Sequence, residues 1–191
     1  MVRVYDPVRR VVTGVNERGL SCVLFDSEAP NVHPRPSSPG VFFTELWTIN
    51  QSPENIRKSI DTSPAGKEFQ HSPPLDGAHW RLGHTSAVQK NLSQKDARLS
   101  HDSMNKSGVS ELKSGGRHWN LHRTPTIDYA WCLKGQRDLV LDEIDVRISK
   151  GDIVVQLANF HAWENRSNVN VDMSYVMIGA DLKSVFFNKK I

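Results

Sequence analysis

The 191-residue sequence predicts an all-β protein, an antiparallel sandwich or barrel. Three observations predict it. Apolar residues recur in short runs that alternate with polar ones, the period of a half-buried strand. Gly and Asp punctuate these runs roughly every eight to twelve residues. Helix-period stretches are nearly absent, so only a few short helices are expected.

Each element follows in chain order. Val8 to Thr13 and Ser21 to Phe25 form a hairpin around the turn-prone Asn16-Glu17-Arg18-Gly19. Residues 28–40, rich in Pro and Ser, read as an extended loop. Val41 to Ile49 (VFFTELWTI) is a strong strand. Residues 50–62 suggest a brief helix, with Ser52 as cap, Pro53 in the first helical position and Glu54 in the first turn. Pro64, Pro73 and Pro74 make residues 63–76 a loop. This divides the chain into an N-terminal strand-and-loop extension, 1–76, and a barrel, 77–191.

The barrel starts at Ala78 to Leu82. Residues 87–117 are polar and poor in aromatics, and read as an insertion without fixed structure. His118 to Arg123 is the next strand. Ile127 to Leu133 follows and closes at Lys134-Gly135-Gln136. Arg137 to Leu141 and Ile144 to Ile148 alternate, Lys150-Gly151-Asp152 is a turn, and Ile153 to Leu157 is a further strand. Val171 to Ile178 closes the barrel, with a last helical turn over 181–187. No internal repeat is present.

Composition narrows the function classes. The formal charge is +3, with Lys and Arg scattered rather than clustered, so no nucleic-acid footprint is seen. No apolar run approaches the roughly 20 residues of a bilayer span, and the N-terminus lacks a signal-peptide core. A cytoplasmic protein with no membrane association is the expectation. Cys22 and Cys132 lie in apolar strands and read as buried free thiols. There is no P-loop, dinucleotide fingerprint, G-x-S-x-G or H-E-x-x-H, so no NAD or flavin site is expected.

The run from Leu121 to Ser167 carries the chemistry. His122 opens it, Asp128 lies six residues later, and His161 ends it. Two imidazoles and a carboxylate on facing strands can form a facial triad with open positions if they converge, an arrangement suited to Fe(II) or a related divalent ion such as Zn(II) or Mn(II). His122, Asp128 and His161 are therefore both the candidate metal ligands and the candidate catalytic residues. Trp163 and Asn165 share the face of His161 by alternation and join Thr124 as the candidate substrate pocket. Tyr129 should face away from Asp128. Trp131 is expected to pack, and His118 to sit at the rim. Arg123 and Arg166 are read as surface charge that can meet a carboxylate or phenolate at the barrel mouth.

The same run resembles the cupins. Their first motif reads G-x5-H-x-H-x3,4-E-x6-G. His122 fits its first histidine, Thr124 stands at the second, Asp128 at the glutamate and Gly135 at the closing glycine. The second motif reads G-x5-P-x-G-x2-H-x3-N. Gly151, His161 and Asn165 fit it with one residue fewer before the histidine, and the proline and glycine are missing from Leu157-Ala158-Asn159. The wording HRTPTIDYAWCLKG followed by GDIVVQLANFHAWENRS is similar to a single-domain cupin subfamily, as are RRVVTG, PNV and TELW near the N-terminus. Fungal members are encoded with aromatic-polyketide pathways, including salicylaldehyde-type ones, and are described as cupin-domain oxidoreductases.

The resemblance implies a double-stranded β-helix, the jelly-roll barrel, with an N-terminal β-strand extension and a possible homodimer. It implies a metal-dependent oxidoreductase tailoring a small aromatic or polyketide intermediate in secondary metabolism. Two rivals stay open: a non-oxidative cupin enzyme (dehydratase, isomerase, decarboxylase or cyclase), and a ligand-binding cupin without chemistry.

Overall fold

A computed structural model describes residues 7–15, 21–35, 40–49, 61–87, 99, 102 and 110–181. The hairpin β1 (Arg9–Val15) and β2 (Ser21–Glu28) pairs antiparallel. β3 (Asn31–Pro34) and β4 (Val41–Ile49) follow, then β5 (Ala78–Thr85), β6 (Glu111–Leu112) and β7 (His122–Arg123). β8 (Thr126–Lys134), β9 (Gln136–Val140), β10 (Asp145–Ser149), β11 (Ile153–Leu157), β12 (Ala162–Glu164) and β13 (Val171–Gly179) complete the order.

The strands form two layers. One is a six-stranded sheet in the order β11-β8-β13-β5-β4-β3. The other is β10-β9-β12, which the bridge between His122 and His161 continues into the β6-β7 pair. This two-layered arrangement is a jelly roll, and every named pairing is antiparallel. β3 and β4, from the N-terminal stretch, continue the barrel's own sheet through β5. Arg10 ties the β1-β2 hairpin to it, donating to the Leu46 carbonyl and pairing with Asp61.

Register sorts the interior into rows. Gln156, Asp128, Met177, His79 and Thr48 lie side by side across β11, β8, β13, β5 and β4. The next row is Val154, Ala130, Tyr175, Arg81 and Glu45, continuing to Asn31 of β3; it lies two residues along each strand except β4, where a bulge makes it three. A third holds Cys132, Met173, Gly83 and Phe43. The third row leads into the apolar core around Ala130, Leu139, Ile148 and Val171, where Cys132 is a buried free thiol. The first two rows carry the buried polar groups Gln156, Asp128, His79, Thr48, Arg81, Glu45 and Asn31. Only pairing and period-2 alternation put those polar groups inside, because neither depends on the character of the side chain.

The outer face of the same sheet is apolar. Trp80, Tyr129, Trp131, Leu133, Ile153, Val155, Leu157 and Ile178 are each 37–66% exposed. Trp131 therefore does not pack as expected. It lies on the outward side of β8 together with Tyr129, opposite buried Asp128 and Ala130. No helix among the described residues is long and apolar enough to cross a membrane.

Other expectations meet different outcomes. Residues 28–40 hold a strand, β3, because Asn31 to Pro34 pair with β4. His118 to Asn120 is a turn and not the start of a strand: the Asn120 amide donates to His118 Nδ1 and the Leu121 amide to the His118 carbonyl. The end of the presumed insertion is ordered, since Glu111 and Leu112 pair with Arg123 and His122. The Asn16–Gly19 turn, most of the 50–62 helix, most of 87–109 and residues 182–187 lie outside the described residues, as does the Cys22 side chain.

Candidate functional site

Between the layers lies a cavity of about 90 Å³. His122 and His161 line it from one side, and Asp128 and Gln156 from the facing sheet. A mutual pair of backbone hydrogen bonds, each 2.9 Å, locks the two histidines together. Their ring centroids are 4.8 Å apart. The spacing arises because β7 is short and is docked on the residue just before β12.

Both tautomers are set locally. His122 Nδ1 lies 2.8 Å from the Asn120 carbonyl and His161 Nδ1 lies 3.0 Å from the Asn159 carbonyl. A carbonyl only accepts, so each Nδ1 carries a proton and donates, and in the neutral form of each ring Nε2 is the nitrogen with the lone pair. Burial pushes the His161 pKa down to about 4, against a smaller upward pull from the Asn159 carbonyl, so the ring is neutral at pH 7. The turn that delivers it contains Ala158 at φ 54°, three residues before His161 where the motif has glycine. A left-handed alanine costs about 1 kcal/mol or more. At the other turn Gly135 supplies φ 74°, and a Cβ there would meet the Asn170 carbonyl at 2.5 Å.

Asp128 is buried, and its Oδ1 has no hydrogen-bond partner. Burial raises its pKa to about 6, against opposing pulls from the Thr126 hydroxyl and the Arg81 charge. His161 titrates low and Asp128 high, the reverse of their ordinary order. At neutral pH Asp128 is thus a stronger base than the imidazole beside it.

The structure brings His122, Asp128 and His161 to one cavity but does not gather them into one ligand set. Among the described residues, no three His, Cys, Asp or Glu side chains are placed to share a metal ion. The donor chemistry of the two imidazoles does suit a divalent ion: an Nδ1–H held by a carbonyl with Nε2 left to coordinate is the usual outer arrangement of a ligating histidine. The facial triad with Asp128 is what the geometry does not assemble.

Of the pocket residues, Thr124 lines the cavity and shares a 2.6 Å hydrogen bond with the Thr126 hydroxyl. Trp163 lines it too, edge-on to Tyr175 at 6.0 Å between centroids. Asn165 does not. Its amide donates to the Ser86 and Val169 carbonyls and accepts from Ser167, so it fixes the loop after β12. Arg123 pairs with Glu111, and Arg166 with Glu164 and Asp145, as surface charges do. His118 sits 3.7 Å from Glu164, at the rim.

Sequence reasoning missed several groups in this cavity. His71, from the Pro-rich loop, places its ring 5.3 Å from that of His122. Arg35, Arg81, Arg137 and Gln156 also line it. Gln156 was findable, as the polar residue in the apolar strand IVVQL on the face opposite Val155. His71 carried no signal, because a loop has no period. A larger cavity, about 500 Å³, lies beyond the Arg81–Glu45 ion pair, with Glu45, Lys67 and His79 in its lining. It lacks the histidine pair.

No protein-family profile matches the chain. It is 44% identical over 61 residues to the phomopsin biosynthesis cluster protein C' of Diaporthe leptostromiformis, covering 31% of this chain and 32% of that one. It is 27% identical over 158 residues to a cupin-domain-containing oxidoreductase of Neurospora crassa, covering 82% of this chain and 65% of that one. The matches thus span under two thirds of each relative's own length. Among solved structures, a cupin domain of Schizosaccharomyces pombe is similar at TM-score 0.45 and 11% identity, covering 94% and 93% of the two chains. A polyketide cyclase of Streptomyces resistomycificus is similar at TM-score 0.41 and 11% identity, covering 76% and 70%.

Proposed function

We propose that this chain, a cupin jelly roll related in sequence to a fungal cupin-domain oxidoreductase, is an enzyme of secondary metabolism that tailors a small aromatic or polyketide intermediate. The observation that carries the reading is the buried carboxylate of Asp128, with its Oδ1 unpartnered, in a cavity with two imidazoles. A buried carboxylate oxygen without a partner costs stability. A pKa near 6 suits proton transfer at neutral pH. Asp128 takes a proton from the bound intermediate, and the neutral His161 imidazole accepts a hydrogen bond from one of its hydroxyl groups. Trp163 offers a flat wall. A cavity of about 90 Å³ is about three water volumes, so a polyketide enters by one end only.

The oxidoreductase reading is favoured by the Neurospora relative's description. For it, His122 and His161 would hold a divalent ion, Fe(II), Zn(II) or Mn(II), through Nε2. Such an ion supplies Lewis acidity or, as iron, electron transfer.

The test is turnover of a panel of aromatic polyketide intermediates, read by mass and by oxygen uptake, beside elemental analysis of the purified protein. Asp128→Asn should reduce turnover about 100-fold or more. About one divalent ion per chain, lost in His122→Ala and His161→Ala, would support the metal reading. Product without oxygen uptake points to the non-oxidative class. Binding with no turnover of any intermediate would leave a ligand-binding barrel and sink the enzyme reading.

We also propose a homodimer, with a second copy covering the outer face of the six-stranded sheet. A stable dimer buries about 800 Å² per partner. Two tryptophans, a tyrosine and five aliphatic residues, 37–66% exposed, present apolar area of that order. β11, carrying Ile153, Val155 and Leu157, is also an edge strand. Light scattering should give a dimer mass, and Trp131→Glu with Val155→Lys a monomer. A wild-type monomer at high concentration would rule this out.

A further inference from the structure

Arg137 differs from two other buried guanidinium groups, those of Arg81 and Arg10. Arg81 has Glu45 at 2.9 Å, and Arg10 has Asp61 at 2.5 Å. The half-exposed Arg147 has Asp138 at 2.6 Å. Arg137 is only 9% exposed and, among the described residues, meets no carboxylate. It donates to two neutral acceptors, the Tyr175 hydroxyl at 3.1 Å and the Trp163 carbonyl at 3.3 Å, and its Nε has no partner. A buried charge without a counter-ion is destabilising unless an anion joins it.

Gln156 is a second, independent observation. It lies on β11 in the same cavity, is 4% exposed, and neither its amide oxygen nor its amide nitrogen has a partner. A protein interior rarely leaves both ends of an amide unmet. Around them the lining holds three guanidinium groups, of Arg35, Arg81 and Arg137, and one carboxyl, of Asp128. Glu45 accounts for Arg81. Burial and the nearby charge of Arg137 hold the Arg35 pKa down to about 10.

We propose that Arg137 and Gln156 form an anion subsite, and that the molecule this barrel accepts carries a carboxylate. Arg137 Nε and the Gln156 amide nitrogen donate to it, and the small cavity admits the carboxylate with its first ring or short stem. Trp163, 5.8 Å from the Arg137 guanidinium, flanks the group next to it. This rests on the cavity being the substrate site of the proposed enzyme and narrows the substrate to an acid.

The test uses benzoate and its neutral analogue benzyl alcohol, titrated calorimetrically into the full chain. Benzoate should bind at least about 10-fold more tightly than benzyl alcohol, since a hydrogen bond to a charged group is worth about that much. Arg137→Met should weaken benzoate about 10- to 100-fold and leave benzyl alcohol unchanged. Gln156→Leu should weaken benzoate several-fold, and Lys150→Met, on an exposed turn, should do nothing. Equal binding of the two probes, no benzoate binding at millimolar concentration, or full binding by Arg137→Met each overturns the proposal. Should Arg137→Met not fold, the wild-type comparison and Gln156→Leu decide. Carboxylate binding without turnover keeps the subsite and removes the enzyme. Turnover of neutral intermediates without preference for acids does the reverse.

Discussion

Arg81→Met is expected to lower the folding free energy by about 3–5 kcal/mol, the usual cost of breaking a buried ion pair from one side. Arg81 is 2% exposed and pairs with Glu45, itself 4% exposed. Burial raises the pKa of Glu45 despite the charges of Arg81 and Lys67, and burial likewise lowers that of Arg81, so desolvation outweighs attraction for both. Neither Glu45 oxygen accepts a hydrogen bond, so the carboxylate rests on the Arg81 charge first and that of Lys67 second. Arg81 also donates to the Gln70 and His71 carbonyls at 2.9 and 3.1 Å, and lies 4.9 Å over the Phe69 ring. It therefore fastens the loop that brings His71 to the cavity. Urea unfolding measures the loss. The double variant Arg81→Met with Glu45→Met should recover much of it, because no orphan charge remains. A single variant within 1 kcal/mol of wild type would show that the pair does not govern the fold.

The second large effect is on acid stability, in protein stripped of divalent ions. Burial holds His161 at about 4 and His79 at about 3, the latter helped by the Arg81 and Lys67 charges. Arg81 donates to His79 Nδ1, which keeps that ring neutral. Both folded values lie below the ordinary 6.5, so the unfolded chain binds more protons. Stability present above pH 6.5 is lost as the pH falls towards 4. Asp128 works in the opposite sense. Its folded value, about 6, exceeds the ordinary 3.8. Its contribution is full below pH 3.8 and lost as the pH rises through 6. At 1.36 kcal/mol per pKa unit, each imidazole costs on the order of 3 kcal/mol between pH 6.5 and 4, and Asp128 returns about as much. The net loss is on the order of 3 kcal/mol. Asp128→Asn removes the compensation, so its acid loss should be about twice as large, while at pH 7 it should be at least as stable as wild type. Urea midpoints at pH 7, 5.5 and 4 measure this. A variant no more acid-sensitive than wild type would mean that Asp128 is not desolvated.

Such a substitution would gain stability and lose turnover together. A carboxylate kept ionised in a barrel at neutral pH is a standing cost, and the proton transfer proposed for it is what that cost sustains.

The sequence by itself determined the fold class and most of its strands. Val41–Ile49 and Ile153–Leu157 were legible to the residue, because alternation and flanking turns act over a few neighbours and need no distant partner. It also marked His122, Asp128, His161, Thr124 and Trp163, since strand period 2 and motif spacing put them on the inner face. Only the tertiary structure decided which groups meet. The bridge that sets His122 against His161, the entry of His71 from a loop, and the burial of Arg137 and Gln156 without partners all depend on pairing between segments far apart in the chain. The same is true of Asn165, whose side chain goes to main-chain carbonyls around Ser86 and Val169. Local pattern says which way a side chain points; what it then finds there is set by sheet order and register, which no local pattern contains.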